Sequence, residues 1–340
     1  MKVAILSPIA WRTPPKQYGP WEQVASGIAE GLVKKGIDVT LFASGDSITA
    51  GKLAWCIEYP YAENPAADVK VNECLHISQV FERAAEYDII HNHYDFLPLT
   101  YSRLVKTPML TTIHGFSSPL IVPVYKKYNH STYYASISHA NRHPDLNYIA
   151  TVYNGIPVNN FTFCEHPLDY LLFFGRIHPE KGTREAIELA KRCGKKLIIA
   201  GLIQDHDYFK EHVQPSIDDY TVVYAGNADP QQRDQLLGNA LALLHLIQFD
   251  EPFGLSVAEA MCCGTPVIAW NRGAMPELIQ QGKTGFLIDS MDEAHAAVHK
   301  LESINRKDCR DWAVNMFSTE RMTADYIRVY KEILDLGIRH

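Results

Sequence analysis

The strongest constraint on this chain is an alternation kept almost from end to end. Short apolar runs of strand length are followed by amphipathic segments, the pattern of parallel sheets covered by helices on both faces. In the first half the runs fall at Val3 to Ser7, Ile37 to Ala43, Asp88 to His93, Pro108 to His114, Tyr133 to Ser138 and Ile149 to Tyr153. The clearest helices between them run from Trp21 to Lys35, closed by Gly36, and from Ser78 to Tyr87. A second series begins at Tyr170 to Phe174 and continues at Lys196 to Ala200, Thr221 to Tyr224, Ala240 to Ile247, Pro266 to Trp270 and Gly285 to Ile288. Between the series lies Asn154 to Phe161, rich in Gly, Pro and Asn and without periodicity, which marks a linker. The expected fold is α/β, with two doubly wound, Rossmann-like parallel-sheet lobes over residues 1–157 and 158–318. A long amphipathic helix within 319–340 can pack back across either lobe and is assigned to the first.

A chain of 340 residues, 46% hydrophobic, can bury two cores. The formal net charge of -7 and the lack of a long basic run exclude a nucleic-acid footprint, so any phosphate recognition must be local. The opening Met1 to Leu6 reaches Pro8 at once, without a signal-peptide core, and no segment has the apolar length of a membrane span. The seven cysteines are scattered and lack Cys-x-x-Cys pairing, which argues for reduced thiols in a cytoplasmic protein and against a zinc or disulfide framework. The expectation is no metal and no cofactor. Basic content such as Lys126-Lys127 supports peripheral membrane contact at most.

Open parallel sheets bind ligands beyond the carboxyl ends of their strands, so the residues after each run are the candidates. After the first run comes Pro8 to Glu22, a long loop carrying Trp11, Arg12, Tyr18, Gly19 and Trp21. It is not Gly-x-Gly-x-x-Gly, so hydride transfer loses its usual support. The aromatic faces in this loop suit a sugar ring or a flat heterocycle. His91 and His93 follow the third run, and His114-Gly115 the fourth. Two histidines two apart on a strand point the same way and could chelate a metal, but no third ligand is evident, so a cleft-lining or structural role is favoured. In the second half Gly175-Arg-Ile-His-Pro-Glu-Lys-Gly182 places a guanidinium and an ammonium at a crevice mouth, a pair that suits a diphosphate.

The densest stretch is Glu251-Pro-Phe-Gly-Leu-Ser-Val-Ala-Glu259, where a turn at Pro252 and Gly254 leads into an apolar helix starting near Leu255. Its first N–H groups and positive dipole end form an anion site. Glu251 stays on the loop, and Glu259 sits a turn inside the helix.

Together with Ala260 to Ala269, Gly273-Ala-Met-Pro-Glu277 and Gly282-Lys-Thr-Gly-Phe286, these motifs resemble family 4 of the glycosyltransferases, retaining enzymes of the GT-B fold that use nucleotide-activated sugars. The resemblance covers nearly the whole chain. It implies two lobes facing a central cleft and a hexose transferred from a nucleoside diphosphate to an acceptor hydroxyl without a metal. By resemblance Arg176 and Lys181 hold the diphosphate, Glu259 binds the ribose hydroxyls and Glu251 the transferred sugar. Gly175 and backbone groups around Phe253, Gly254 and Leu255 complete the cradle, and His114 extends towards the donor sugar. Gly19 matches the glycine-rich first loop, but Pro20 replaces the family's second glycine and removes one backbone donor. Trp11, Arg12, Tyr18, Trp21, His91 and His93 are left as an acceptor wall. UDP-glucose is the favoured donor, with GDP-mannose second. The acceptor is a saccharide, a lipid-linked glycan or a small metabolite, and the opening Pro14 to Glu22 also resembles that of bacterial members acting on pterins. Two other classes remain: a nucleotide-sugar epimerase of the same fold, and a non-catalytic two-lobed sugar-binding protein.

Overall fold

The computed structural model describes residues 1–16, 19–116 and 118–336. They form two compact units, Met1–Gly155 with Thr319–His340, and Ile156–Ser318. The division falls two residues ahead of the one read from the sequence.

The first unit contains seven parallel strands: β1 (Lys2–Leu6), β2 (Asp38–Phe42), β3 (Lys52–Ala54), β4 (Ile89–Asn92), β5 (Met109–Ile113), β6 (Tyr133–Ser136) and β7 (Tyr148–Thr151). Their order is β3-β2-β1-β4-β5-β6-β7, so the winding reverses between β1 and β4. Its longer helices are α1 (Pro20–Lys34), α2 (Val69–Glu82) and α3 (Val122–Tyr128). The second unit has β8 (Tyr170–Phe174), β9 (Lys196–Ala200), β10 (Val222–Tyr224), β11 (Ala242–His245), β12 (Val267–Trp270) and β13 (Gly285–Ile288), ordered β10-β9-β8-β11-β12-β13. Its longer helices are α4 (Thr183–Arg192), α5 (Pro230–Asn239), α6 (Leu255–Cys262), α7 (Met291–Val298) and α8 (Arg306–Phe317). Helix α9 (Thr319–Leu336) then belongs to the first unit.

The strands are apolar on both faces, as sheets covered by helices require: Val3, Ala4, Ile5 and Leu6 are all fully buried, as are Leu171 and Leu172. Each such Val, Leu or Ile removed from water contributes roughly 1.5–3 kcal/mol. Helix α9 reaches the first unit through a close approach at Gly31 of α1, where a Cβ would lie 2.0 Å from Thr323 Oγ1. Its buried face then presents Tyr326 and Tyr330 to Thr112 and His91.

One helix differs from the sequence expectation. α2 begins at Val69 rather than Ser78, because Asp68 caps it by accepting from Val71 N–H at 3.1 Å. Val69, Val71 and Leu75 in its first turns are exposed, so the apolar stripe that identifies a helix is absent there. The three-residue strand β3 is likewise too short to stand out.

Candidate functional site

In the second unit the winding reverses between β8 and β11, and the loops after these strands carry the charged motifs. The loop after β8 folds into one helical turn, Pro179–Lys181, and passes into α4 through Gly182. Gly182 has φ 77°, and a Cβ there would lie 2.0 Å from the Leu246 carbonyl oxygen, so only glycine lets this loop lie against the end of β11. The contact places Lys181 beside the loop after β11. Lys181 Nζ donates to Glu251 Oε2 at 2.9 Å and sits 4.5 Å from the Phe249 ring centre. Arg176 hydrogen-bonds Gln204 and lies 3.6 Å from Glu180. Gly175 is fixed by its N–H to the Ala200 carbonyl at 3.0 Å.

Glu251 is held by its backbone as well. The Ala274 N–H donates to the Glu251 carbonyl at 2.9 Å, so the Gly273 to Glu277 motif braces this loop. Phe253 is buried with its ring edge-on to Phe317, and Gly254 is the N-cap of α6, which begins at Leu255 as its sequence predicts. Glu259 is buried inside α6, and Arg233 of α5 reaches it at 3.2 Å. Burial raises the Glu259 pKa, and Arg233 opposes that rise. Two acid–base pairs thus flank the start of one helix. The Ala260 to Ala269 and Gly282 to Phe286 motifs are scaffold: Thr265 Oγ1 donates to the Leu237 carbonyl at 2.6 Å, and Gly282 N–H closes a turn onto the Gly285 carbonyl at 2.8 Å.

The chain does contain the Asp-x-Asp spacing of metal-dependent transferases, at Asp205 and Asp207. Asp205 accepts from Tyr208 N–H at 2.8 Å as a helix cap, and Asp207 lies exposed in that turn.

The first unit builds a different site. After β1 the chain is pinned by Thr13, whose N–H donates to Ser47 Oγ at 2.9 Å, and Gly19 then caps α1 with Pro20 in its first turn. A cavity of about 480 Å³ opens here. It is lined by Trp11, Trp21, Tyr61, Tyr94 and Phe96 and by the carboxylates of Glu22, Glu73 and Asp95, with no Lys or Arg among the described lining residues. Glu22 accepts from Trp11 N–H at 3.2 Å, Glu73 from Tyr94 OH at 2.7 Å, and Asp95 from Tyr125 OH. Burial pushes the Glu22 carboxyl up to about 7 and Asp95 up to about 6.

Three histidines stand behind this cavity. His114, after β5, stacks on Trp21 at 5.4 Å, and its Nε2 shares a hydrogen with His93 Nδ1 at 2.9 Å. Burial holds His114 down at about 3 and keeps His91 and His93 neutral as well. His91 corrects the sequence reading: its Nδ1 bonds Tyr330 OH at 2.6 Å and its Nε2 bonds Thr112 Oγ1 at 2.7 Å. With both nitrogens engaged and no exposed surface, His91 ties α9 to the sheet and has no group left for an acceptor. His93 is fully buried as well, with Nε2 unpartnered among the described residues. Arg12 turns onto the Pro14 carbonyl at 3.0 Å and is not among the cavity residues. Tyr18 lies outside the described residues.

Sequence reasoning missed several groups. Arg233 gives no local signal, being 26 residues from Glu259. His245 ends β11 and is buried; burial takes its pKa down to about 4, against an opposing pull from Glu251. Its place at the carboxyl end of a strand was the available clue.

Two family descriptions match: "Glycosyl transferases group 1" over residues 165–316 and "Glycosyltransferase Family 4" over residues 22–158. The chain is 25% identical over 333 residues to the GDP-mannose:cellobiosyl-diphosphopolyprenol alpha-mannosyltransferase of Komagataeibacter xylinus, covering 85% of this chain and 79% of that protein. It spans about half the length of several other curated relatives. Sucrose-phosphate synthase from Thermosynechococcus elongatus superposes with a TM-score of 0.81 at 16% identity, covering 99% of this chain and 100% of the other. Anabaena HepE in complex with UDP-glucose gives 0.73 at 18% identity, covering 98% and 100%. At these identities the structural likeness is one of fold. No helix among the described residues is long and apolar enough to cross a membrane. With two parallel-sheet lobes matched in order by the two descriptions, the chain belongs to the family 4 glycosyltransferases and is an enzyme with the GT-B fold.

Proposed function

We propose that the enzyme transfers a hexose, with retained anomeric configuration, from a nucleoside diphosphate to an acceptor hydroxyl, and that the second unit holds the donor. The observation that carries this is the Lys181–Glu251 pair at 2.9 Å, set on two loops at the switch point beside the N-terminus of α6. Lys181 and Arg176 neutralise the diphosphate as its bond to the sugar breaks, work that a divalent cation does in other transferases. Glu259 and Glu251 accept from ribose and sugar hydroxyls. Leu255 and Ser256, in the first turn of α6, have N–H groups that helix geometry leaves for a phosphate.

The anomeric carbon–oxygen bond breaks with its electron pair passing to the diphosphate. The acceptor oxygen attacks the same face, and its proton passes to the leaving phosphate. Products are a glycoside and a nucleoside diphosphate, with no covalent sugar on Glu251. Burial keeps His114 neutral, so it carries no charge of its own.

UDP-glucose is the first donor to test, in keeping with the ligand of HepE, and GDP-mannose the second, in keeping with the Komagataeibacter relative. The cavity of the first unit takes the acceptor. Its aromatic walls suit a ring face, and its acidic groups disfavour phosphate as pH rises above the raised Glu22 and Asp95 values. A neutral or cationic saccharide or small metabolite therefore fits better than a phosphate-linked lipid.

The test is an incubation of UDP- and GDP-hexoses with matched neutral, amino and phosphorylated acceptors, with and without EDTA, following nucleotide release and product by mass spectrometry. Transfer unaffected by EDTA, with phosphorylated acceptors the poorest, is expected. Isomerised donor without acceptor would favour an epimerase, a sugar trapped on Glu251 would overturn the mechanism, and nucleotide binding without turnover would favour a binding protein.

A further inference from the structure

The second unit carries a cluster of metal-ligating side chains away from the donor loops. His295 and His299 lie one turn apart on α7 and its cap, with ring centres 4.8 Å apart. Cys193 caps the C-terminal end of the neighbouring helix α4. The ligand atoms of all three lie within 4.8 Å of one another. We propose that Cys193, His295 and His299 form a zinc site of one thiolate and two imidazoles, completed by water, that clamps α4 to α7.

Four features support the assignment. A histidine pair spaced i, i+4 on a helix presents two nitrogens to one metal, and a thiolate with imidazoles is a donor set that zinc prefers. Zinc bonds of about 2.0–2.3 Å place tetrahedral ligand atoms roughly 3.3–3.7 Å apart, so closure needs a shift of about 1 Å, within reach of side-chain rotation. The helices are already joined beside the cluster by Arg192 and Asp292 at 2.7 Å, so little backbone order remains to be imposed. The C-terminal dipole end of α4, next to Cys193, also favours a cation.

On binding, zinc replaces the Cys193 thiol proton, which leaves to solvent. The metal takes no part in transfer. Helix α4 starts just beyond Lys181, after Gly182, so the clamp fixes from its far end the helix that carries this loop.

The experiment uses tag-free protein stripped with chelator and titrated with Co2+, whose tetrahedral thiolate complexes absorb in the near ultraviolet and visible. One equivalent with a thiolate charge-transfer band, bleached by Zn2+, is expected. The band disappears in Cys193→Ser, and affinity falls at least tenfold in His295→Ala and in His299→Ala, the latter an exposed position where folding is not at stake. Zinc raises the melting temperature of the parent and not of the variants, and EDTA lowers it equally with and without nucleotide. No band, or a band that survives Cys193→Ser, overturns the site, and weak binding without a band marks an adventitious ion.

Discussion

The two units share a topology, a parallel sheet whose winding reverses once, yet their switch points hold opposite chemistry. The second unit sets Lys181 against Glu251 and Arg233 against Glu259, cations held by acids beside a helix N-terminus. The first sets Glu22, Glu73 and Asp95 among aromatic rings, backed by three neutral histidines. The fold supplies the place, and the loops after the strands decide which charge it receives. On the proposed reading, an anionic donor goes to the second unit and an uncharged acceptor to the first.

The comparison is tested hardest at Lys181. Lys181→Ala removes a cation proposed to neutralise the leaving diphosphate, and kcat is expected to fall roughly 100- to 1000-fold with a smaller change in donor KM. Steady-state kinetics at saturating acceptor measures this. Turnover within a few-fold of the parent would mean that the charged crevice is not where the sugar bond breaks.

Next is the acidic half. Glu22 ionises near 7 in the folded protein against an ordinary value of 4.5. Between those values the unfolded chain binds fewer protons than the native one, so this group lowers stability as pH rises through the window and adds nothing further above it. Glu22→Gln keeps an oxygen for the Trp11 N–H and is neutral throughout. Urea denaturation should find the variant about 3 kcal/mol more stable than the parent at pH 8 and equal to it below pH 4. Equal stabilities at pH 8 would mean that Glu22 is well solvated and that the cavity does not enclose it.

A smaller effect separates binding from rate. Glu259→Gln leaves Arg233 without its charged partner and gives up one charge-assisted acceptor, so nucleotide affinity by calorimetry should fall about tenfold. kcat at saturating donor should change less. An unchanged affinity would take the ribose away from Glu259.

The contrast between the halves was only partly legible in the sequence. Gly175 to Gly182 and Glu251 to Glu259 are contiguous, and each carries its own turn, charge and helix start, so both are visible as strings. The partners are not: Arg233 comes from a polar helix with no apolar stripe, and Glu22, Glu73 and Asp95 come from three segments that only the sheet brings together. Cys193 and its histidines escaped for the same reason, since Cys-x-x-Cys spacing detects sites built within one loop and this one spans two helices. α2 was misplaced because Val69, Val71 and Leu75 face solvent, where hydrophobic periodicity carries no signal.

The smallest effect tests whether the acidic half is isolated from the chain's last helix. Tyr330 of α9 bonds His91, the His91 ring lies 4.1 Å from that of His93, and His93 bonds His114, which faces Trp21 of the cavity. Tyr330→Phe keeps the ring and its packing and deletes one buried hydrogen bond, so about 1 kcal/mol of stability should be lost. If His91 serves only to fasten α9, transfer rate and acceptor KM remain at parental values, because His93 and His114 keep their own bond. A rise in acceptor KM beyond the stability loss would make the row of histidines a positioning device running from α9 to His114, and the last helix would then belong to the acceptor site as well as to the scaffold.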